Sequence, residues 1–324
     1  MCMAAVHLKI NKKIFNPPIA TEALVWYTVC RKPHKGTDKD NDIERTKAMG
    51  TEKNKKFELT EETMVLDNGK VLHRIRAVSD FTLSHGATVH AGDLGGWVEK
   101  EDNLSQSGKA WVYGDARVYG EARVYDDARV FGKASVYGSA EVFDSAHVFG
   151  SAEVYNAAAV YNSAHVYGEA RVGGSAAVFA SALVYGKARI YGYAEIFGDA
   201  RVYEEAVVHC DSGVCGEAHV YGTADVGGSA RVNGSAEITG DAHVKGPYDY
   251  AVFKNTWSSG RWFTYTRSDR MWTVGCFRGT GDELIAKAYK DSELSGQCYE
   301  TIVKAQEAIE NATDYGKRKS DAAE

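Results

Sequence analysis

"DARVYGEARVYDDARVFGKASVYG", residues 115–138, states one six-residue phrase four times: a variable residue, Ala, a variable residue, Val, an aromatic, then Gly or Asp. The phrase extends well beyond this window. A Val or Ile stands at every sixth position from Val112 through Val244 without a slip, and Ala fills nearly every position two residues earlier. A period of six excludes a helix, because a turn of about 3.6 residues would smear the valines around the whole cylinder. It fits short strands whose successive side chains face opposite ways. Ala and Val are expected to point inward, and the residue between them and the aromatic outward. The Gly and its successor make the corner, where a residue without Cβ turns at little cost.

Short strands joined by tight corners at fixed spacing predict a parallel β-helix, each coil pairing with the coils above and below. Three hexads make one triangular, 18-residue coil. The expected fold class is therefore mainly β: a β-helix of seven to eight coils, with a small N-terminal β cap and a C-terminal α+β module. Residues 112–246 resemble the hexapeptide-repeat family, whose members form left-handed parallel β-helices. The stretch "AGDLGGWVEKEDNLSQSG", residues 91–108, leads into the array and is similar to bacterial and prophage proteins often labelled transferases. That label comes from acyltransferases of the same fold. The resemblance implies a histidine base, acyl-coenzyme A as cosubstrate, and a site between subunits of a trimer beneath a projecting loop. No loop interrupts these hexads, and a shared fold does not by itself confer the activity.

Around the array, residues 1–56 read as an irregular, charged leader in which Pro17, Pro18 and Pro33 forbid long regular elements, and Met49 offers an alternative start. Residues 57–111 read as an N-terminal β cap. Within it "ETMVLDNGKVLHRIRAV" predicts two strands around an Asn-Gly turn, and the glycines with Trp97 suggest a tight structure closing the open end of the array. Residues 247–312 read as a ββαα module with strands near 261–267 and 270–277, then two helices. Asp282 is the expected N-cap of the first helix, and Tyr299, Ile302 and Ile309 share one face of the second. Residues 313–324 read as a disordered tail.

The chain has 324 residues, 44% of them hydrophobic, and a formal charge of −6, with a basic N-terminal tail and an acidic middle. The charge gives no general pull toward nucleic acid or anionic membrane. No apolar run reaches the roughly 18 residues that span a bilayer, and the N-terminus lacks a secretory signal, so a cytoplasmic protein without membrane contact is expected. Six scattered cysteines do not form a disulfide framework. His209, Cys210, Asp211 and Cys215 lie close in sequence but match no standard zinc spacing, so no metal is expected.

Outward positions eighteen apart stack into three columns. The first runs Tyr113, Phe131, Phe149, Tyr167, Tyr185, Tyr203, Tyr221 without interruption. The second is broken by Gly173, His209, Gly227 and Lys245, and its glycines suggest notches that receive another segment, such as the C-terminal module. The third runs from Tyr125 to Phe197 and then turns to Cys215 and Asn233. Stacked rings stabilise a sheet, whereas an exposed apolar stripe marks an interface. Beside the first column lie His147, His165 and His219. His147 and His165, one coil apart, are the candidate catalytic bases, and His219 with the seven rings forms the candidate interface. The C-terminal hairpin adds Trp262, Tyr265, Arg267, Arg270 and Trp272, which could stack bases and hold phosphates or pack against the end of the rod.

The leading expectation is a non-enzymatic β-helical scaffold or binding protein. It self-associates through the first face, as a trimer by resemblance, needs no cofactor, and contacts a protein partner through its C-terminal module. The acidic array argues against nucleic acid. The alternatives are an acyltransferase using coenzyme A, and a phage protein that sequesters a host factor or small molecule.

Overall fold

In the computed structural model each hexad contributes a two-residue strand, and the register repeats every eighteen residues. Ser135–Val136 pairs in parallel with Arg117–Val118 on one side and with Glu153–Val154 on the other. The stacked strands form the three sheets of a β-solenoid of about eight turns. The structure describes residues 55–84 and 86–320, with the side chains of 314–320 set aside. Nearly all of the assigned leader, with Met49, Cys2 and Cys30, lies outside the described residues, as do 321–324. No helix among the described residues is long and apolar enough to cross a membrane.

The inward side chains follow the period. Every Ala and Val or Ile of the repeat from Ala116 to Val208 and from Val214 to Val244 is buried, so the interior is a continuous column of small and β-branched groups. The backbone is paired coil to coil, as where the Tyr137 N–H donates to the Val154 carbonyl at 2.9 Å. Corners turn in the left-handed region. Gly150 has φ +71°, and a Cβ there would sit 2.9 Å from the Gly168 nitrogen of the next coil. Asp126, Asp144, Asn156 and Asn162 take the same conformation, and so do Ala180, Glu204 and Cys210.

The solenoid begins before the regular hexads. Strands Phe57–Val65 and Val71–Ala77 form an antiparallel hairpin closed at Asn68-Gly69, as the sequence suggests. Strand Leu94–Val98 then pairs antiparallel with this hairpin and parallel with Arg117–Val118, carrying the hairpin sheet into the array. Its glycines are required by close approach: a Cβ on Gly96 would lie 2.6 Å from Val112 Cγ1, and one on Gly95 would lie 2.5 Å from Ile75 Cγ1. Leu104 bridges to Val124. Val98 and Leu104 thus start the first coil. Asn103, fully buried, acts as a polar plug: its Nδ2 donates to the Gly120 and Ala122 carbonyls at 3.0 and 2.8 Å, and its Oδ1 accepts from the Lys100 N–H at 2.9 Å. Trp111 occupies an outward position yet is buried beneath the edges of Phe57 and Phe81.

After the array, four strands form an antiparallel sheet, Tyr250–Lys254, Trp262–Thr266, Met271–Val274 and Phe277–Gly279, two more than the expected hairpin. Helices α1 (Gly281–Asp291) and α2 (Glu293–Ser320) follow. The N-cap of α1 is Thr280 rather than Asp282. Its hydroxyl accepts from the Glu283 N–H and the Glu283 carboxylate returns to the Thr280 N–H, a reciprocal box that Asp282, inside the first turn, cannot make. On α2, Tyr299 and Ile302 pack inward as expected with Val303, but Ile309 is exposed and Glu310 takes the buried place. The helix also runs past residue 312 to Ser320, where the sequence suggests a disordered tail.

Hydroxyls of this module close the last coil. Tyr250 Oη donates to the Arg231 carbonyl at 2.8 Å and accepts from the Asn233 N–H, Thr264 Oγ1 accepts from Glu237, and Ser268 Oγ accepts from His243. Backbone groups that would pair with a further coil are met by side chains instead.

Candidate functional site

The first-face column forms as a ladder. From Phe131 to Tyr221 each ring is parallel to the next, with centroids 4.7–4.9 Å apart, while Tyr113 meets Phe131 edge-on. The ring faces are spent on one another. Only edges and hydroxyls reach solvent, and burial pushes the phenols of Tyr113, Tyr185, Tyr203 and Tyr221 above their ordinary range.

The histidines stand beside this ladder. His147 and His165 stack with centroids 4.6 Å apart, and each presents an edge to a ladder ring, Phe131 and Phe149. Arg129 donates from Nε to His147 Nε2 at 2.8 Å. Burial, with help from the Arg129 charge, holds His165 below the ordinary histidine value. Among the described residues no loop interrupts the coils here, where the eighteen-residue register runs unbroken.

The third histidine is in a different setting. His219 lines a cleft of about 520 Å³ where the first face meets the C-terminal sheet. Asp199, Arg201, Glu217, Ser235 and Glu237 form its solenoid wall, and Arg261, Trp262 and Gly275 form the other. Burial keeps His219 below its ordinary value, assisted by the Arg201 guanidinium, and burial raises Glu237 against the opposing hydrogen bond from Tyr221. The cleft therefore offers a neutral imidazole, a carboxyl biased toward its neutral form, two guanidiniums and the indole of Trp262, which is 39% exposed. A concave volume of this size, between a rigid wall and a second element, is the usual setting for a small ligand.

Of the other expected residues, Tyr265 and Trp272 lie in the core of the C-terminal module. Arg267 and Arg270 face Glu310 at 3.5 and 3.7 Å, and Tyr265 Oη donates to the same carboxylate at 2.6 Å. The structure thus divides the hairpin residues: Trp262 joins His219 in the cleft, and the other four serve the module. Sequence reasoning did not single out Arg201, Glu237 or Arg261 as site residues. The available signal was that Arg201, His219 and Glu237 stack as the last three outward residues beside the ring column, next to the end that the module caps.

The notches of the second face are already filled. A Cβ on Gly173 would fall 2.3 Å from Tyr155 Cζ, and one on Gly227 would fall 2.5 Å from His209 Nε2. Rings from the preceding coil lean into both spaces, and the module docks on the end of the rod instead. Among the described residues, no group of three or more His, Cys, Asp or Glu side chains is placed to hold a metal ion.

Residues 122–138 match the family model described as the YdcK β-solenoid repeat. No curated protein matches the chain. The matched segment and the observed coils together support a β-solenoid repeat family, to whose repeat this part of the chain is similar.

Proposed function

We propose that the protein is a non-enzymatic β-solenoid scaffold that binds its ligand in the cleft between the end of the first face and the C-terminal sheet. The observation that carries this reading is the convergence of His219, Arg201 and Glu237 with Arg261 and Trp262 around one cavity of about 520 Å³. Stacking consumes the ring faces of the column, so recognition is assigned to the cleft and not to the stripe. The ligand chemistry that fits is a flat, polar group able to lie on Trp262 and to hydrogen-bond His219 and Glu237. Native mass spectrometry of the full chain tests the proposal: a retained molecule that Trp262→Ala loses supports it. Retention of nothing, or of a molecule indifferent to Trp262→Ala, overturns it. A stable oligomer in light scattering that persists in Trp262→Ala would instead support association along the first face.

One observation favours a second reading. A histidine held neutral inside a cleft suits a general base, which supports a hexapeptide-type acyltransferase with His219, not His147 or His165, as the base. Acyl-coenzyme A turnover abolished by His219→Ala would establish it, and no heat of coenzyme A binding at millimolar ligand would remove it. A protein that sequesters a host factor or metabolite would show the same retained mass as the leading proposal without turnover.

A further inference from the structure

The second face carries a separate cluster near its C-terminal end. His209 follows the strand Val207–Val208, and Cys210 occupies the corner after it, exposed. The His209 ring is fixed on both sides: it stacks on Tyr191 with centroids 5.2 Å apart, and it enters the space left by Gly227. Its Nδ1 lies 3.0 Å from Cys210 Sγ, and its Nε2 lies 2.8 Å from Asp225 Oδ1. The other oxygen of Asp225 faces His243 Nδ1 at 3.3 Å. A carboxylate only accepts, so Nε2 carries the hydrogen that Asp225 receives and the Nδ1 lone pair is turned toward the thiol. Thiol, imidazole and carboxylate thus stand in the order nucleophile, base, orienting group. A scaffold needs none of this: the corner takes glycine in most coils, and a ring in the Gly227 notch needs no carboxylate.

We infer that Cys210 is a nucleophilic thiol, with His209 as its base and Asp225 as the positioning residue, and that the site takes small disulfides. In the step, Cys210 Sγ bonds to one sulfur of a disulfide R–S–S–R′ as its proton passes to His209 Nδ1. The S–S bond breaks, R′–S departs with the electron pair, and it takes the proton from His209 to leave as R′–SH. Cys210 is oxidised to the mixed disulfide and the departing sulfur is reduced to a thiol.

Cys276, also exposed, serves as an internal reference in the same molecule. The reduced full chain is treated with limiting dithiodipyridine at neutral pH, and each cysteine is followed by peptide mass spectrometry. Cys210 is expected to react about tenfold or more faster than Cys276. His209→Gln should bring it to the Cys276 rate while leaving Cys276 unchanged. Asp225→Asn, which keeps the shape, should slow it partway. Gly227→Ala should slow it too, because the added methyl displaces the His209 ring without altering any of the three groups. A Cys210 no faster than Cys276 in the unaltered protein, or a fast Cys210 indifferent to all three substitutions, overturns the inference.

Discussion

The imidazoles of His147 and His165 lie face to face, 4.6 Å between centroids and 14° from parallel, with the Arg129 guanidinium at the outer nitrogen of His147. His165 is held below its ordinary value by burial and by Arg129. The native state therefore resists a proton that the unfolded chain accepts, so stability falls as pH drops through about 6.5 and stops falling below the native value. His219 contributes in the same direction. Thermal melts from pH 7.5 to 5 should show this loss, and His165→Asn should shallow the slope. A slope unchanged in that variant contradicts the assignment.

Lys56 titrates on the other side of neutrality. Its Nζ donates to the Ala110 carbonyl at 2.9 Å inside the N-terminal cap, and burial pushes the ammonium down to about 8 from 10.5, partly opposed by Asp127. Below about 8 the native state must bury a charge that the unfolded chain leaves in water. The Lys56 contribution to stability should rise between pH 8 and 10.5, by on the order of 3 kcal/mol. The buried phenols, raised above their ordinary range, pull both proteins down as pH approaches 10, so the test is the difference: the denaturant midpoint of the wild type should gain on that of Lys56→Met between pH 8 and about 9.5.

Ala180 and Glu204 hold left-handed corners at φ +57° each, a conformation that costs a residue with a Cβ roughly 1 kcal/mol. Ala180→Gly should stabilise the rod by about that amount, less the entropy glycine adds to the unfolded chain, and Glu204→Gly should gain less because it also removes the carboxylate that accepts from the Gly222 N–H at 2.9 Å. Replacing Gly150 with Ala should do the reverse and by more, because the new Cβ meets the backbone of the next corner. Chemical denaturation of the three variants ranks them.

Tyr250→Phe removes the hydroxyl that serves both the Arg231 carbonyl and the Asn233 N–H. It should cost about 1–3 kcal/mol. Hydrogen exchange should localise the loss to the last coils and leave the N-terminal coils as protected as before. Uniform loss along the rod would mean that the cap is not a local device.

The repeat was legible because one physical demand, a small and a branched group inside at every strand, recurs unchanged from Ala116 to Val244, apart from Ser212 in one inward Ala position. The ends were less so. Val98 and Leu104 form the first coil, but eight residues instead of six separate Leu104 from Val112, so the period hides them. Thr280 displaced Asp282 as N-cap through a box with Glu283 that local preference alone does not rank. Ile309 is exposed because Glu310 is wanted inside by Tyr265, Arg267 and Arg270, a demand from another element. The candidate site followed the same rule. The stacking of His147 on His165 was readable from spacing, whereas the cleft at His219 depends on where Trp262 and Arg261 are brought by a sheet whose packing no period encodes.

The eighteen-residue register makes the rod indifferent to its own length but not to its phase. Excising one whole coil would shorten the distance between the two end modules and return every ring to a ring of the same column. Excising a single hexad upstream of Asp199 would instead turn everything downstream by a third of a revolution, setting the Tyr-His face of the later coils over a different side of the earlier ones and rotating the C-terminal module, with its cleft, against the N-terminal cap. Such a chain can gain or lose reach freely in steps of three phrases, and in no other step without breaking its columns and turning one end against the other.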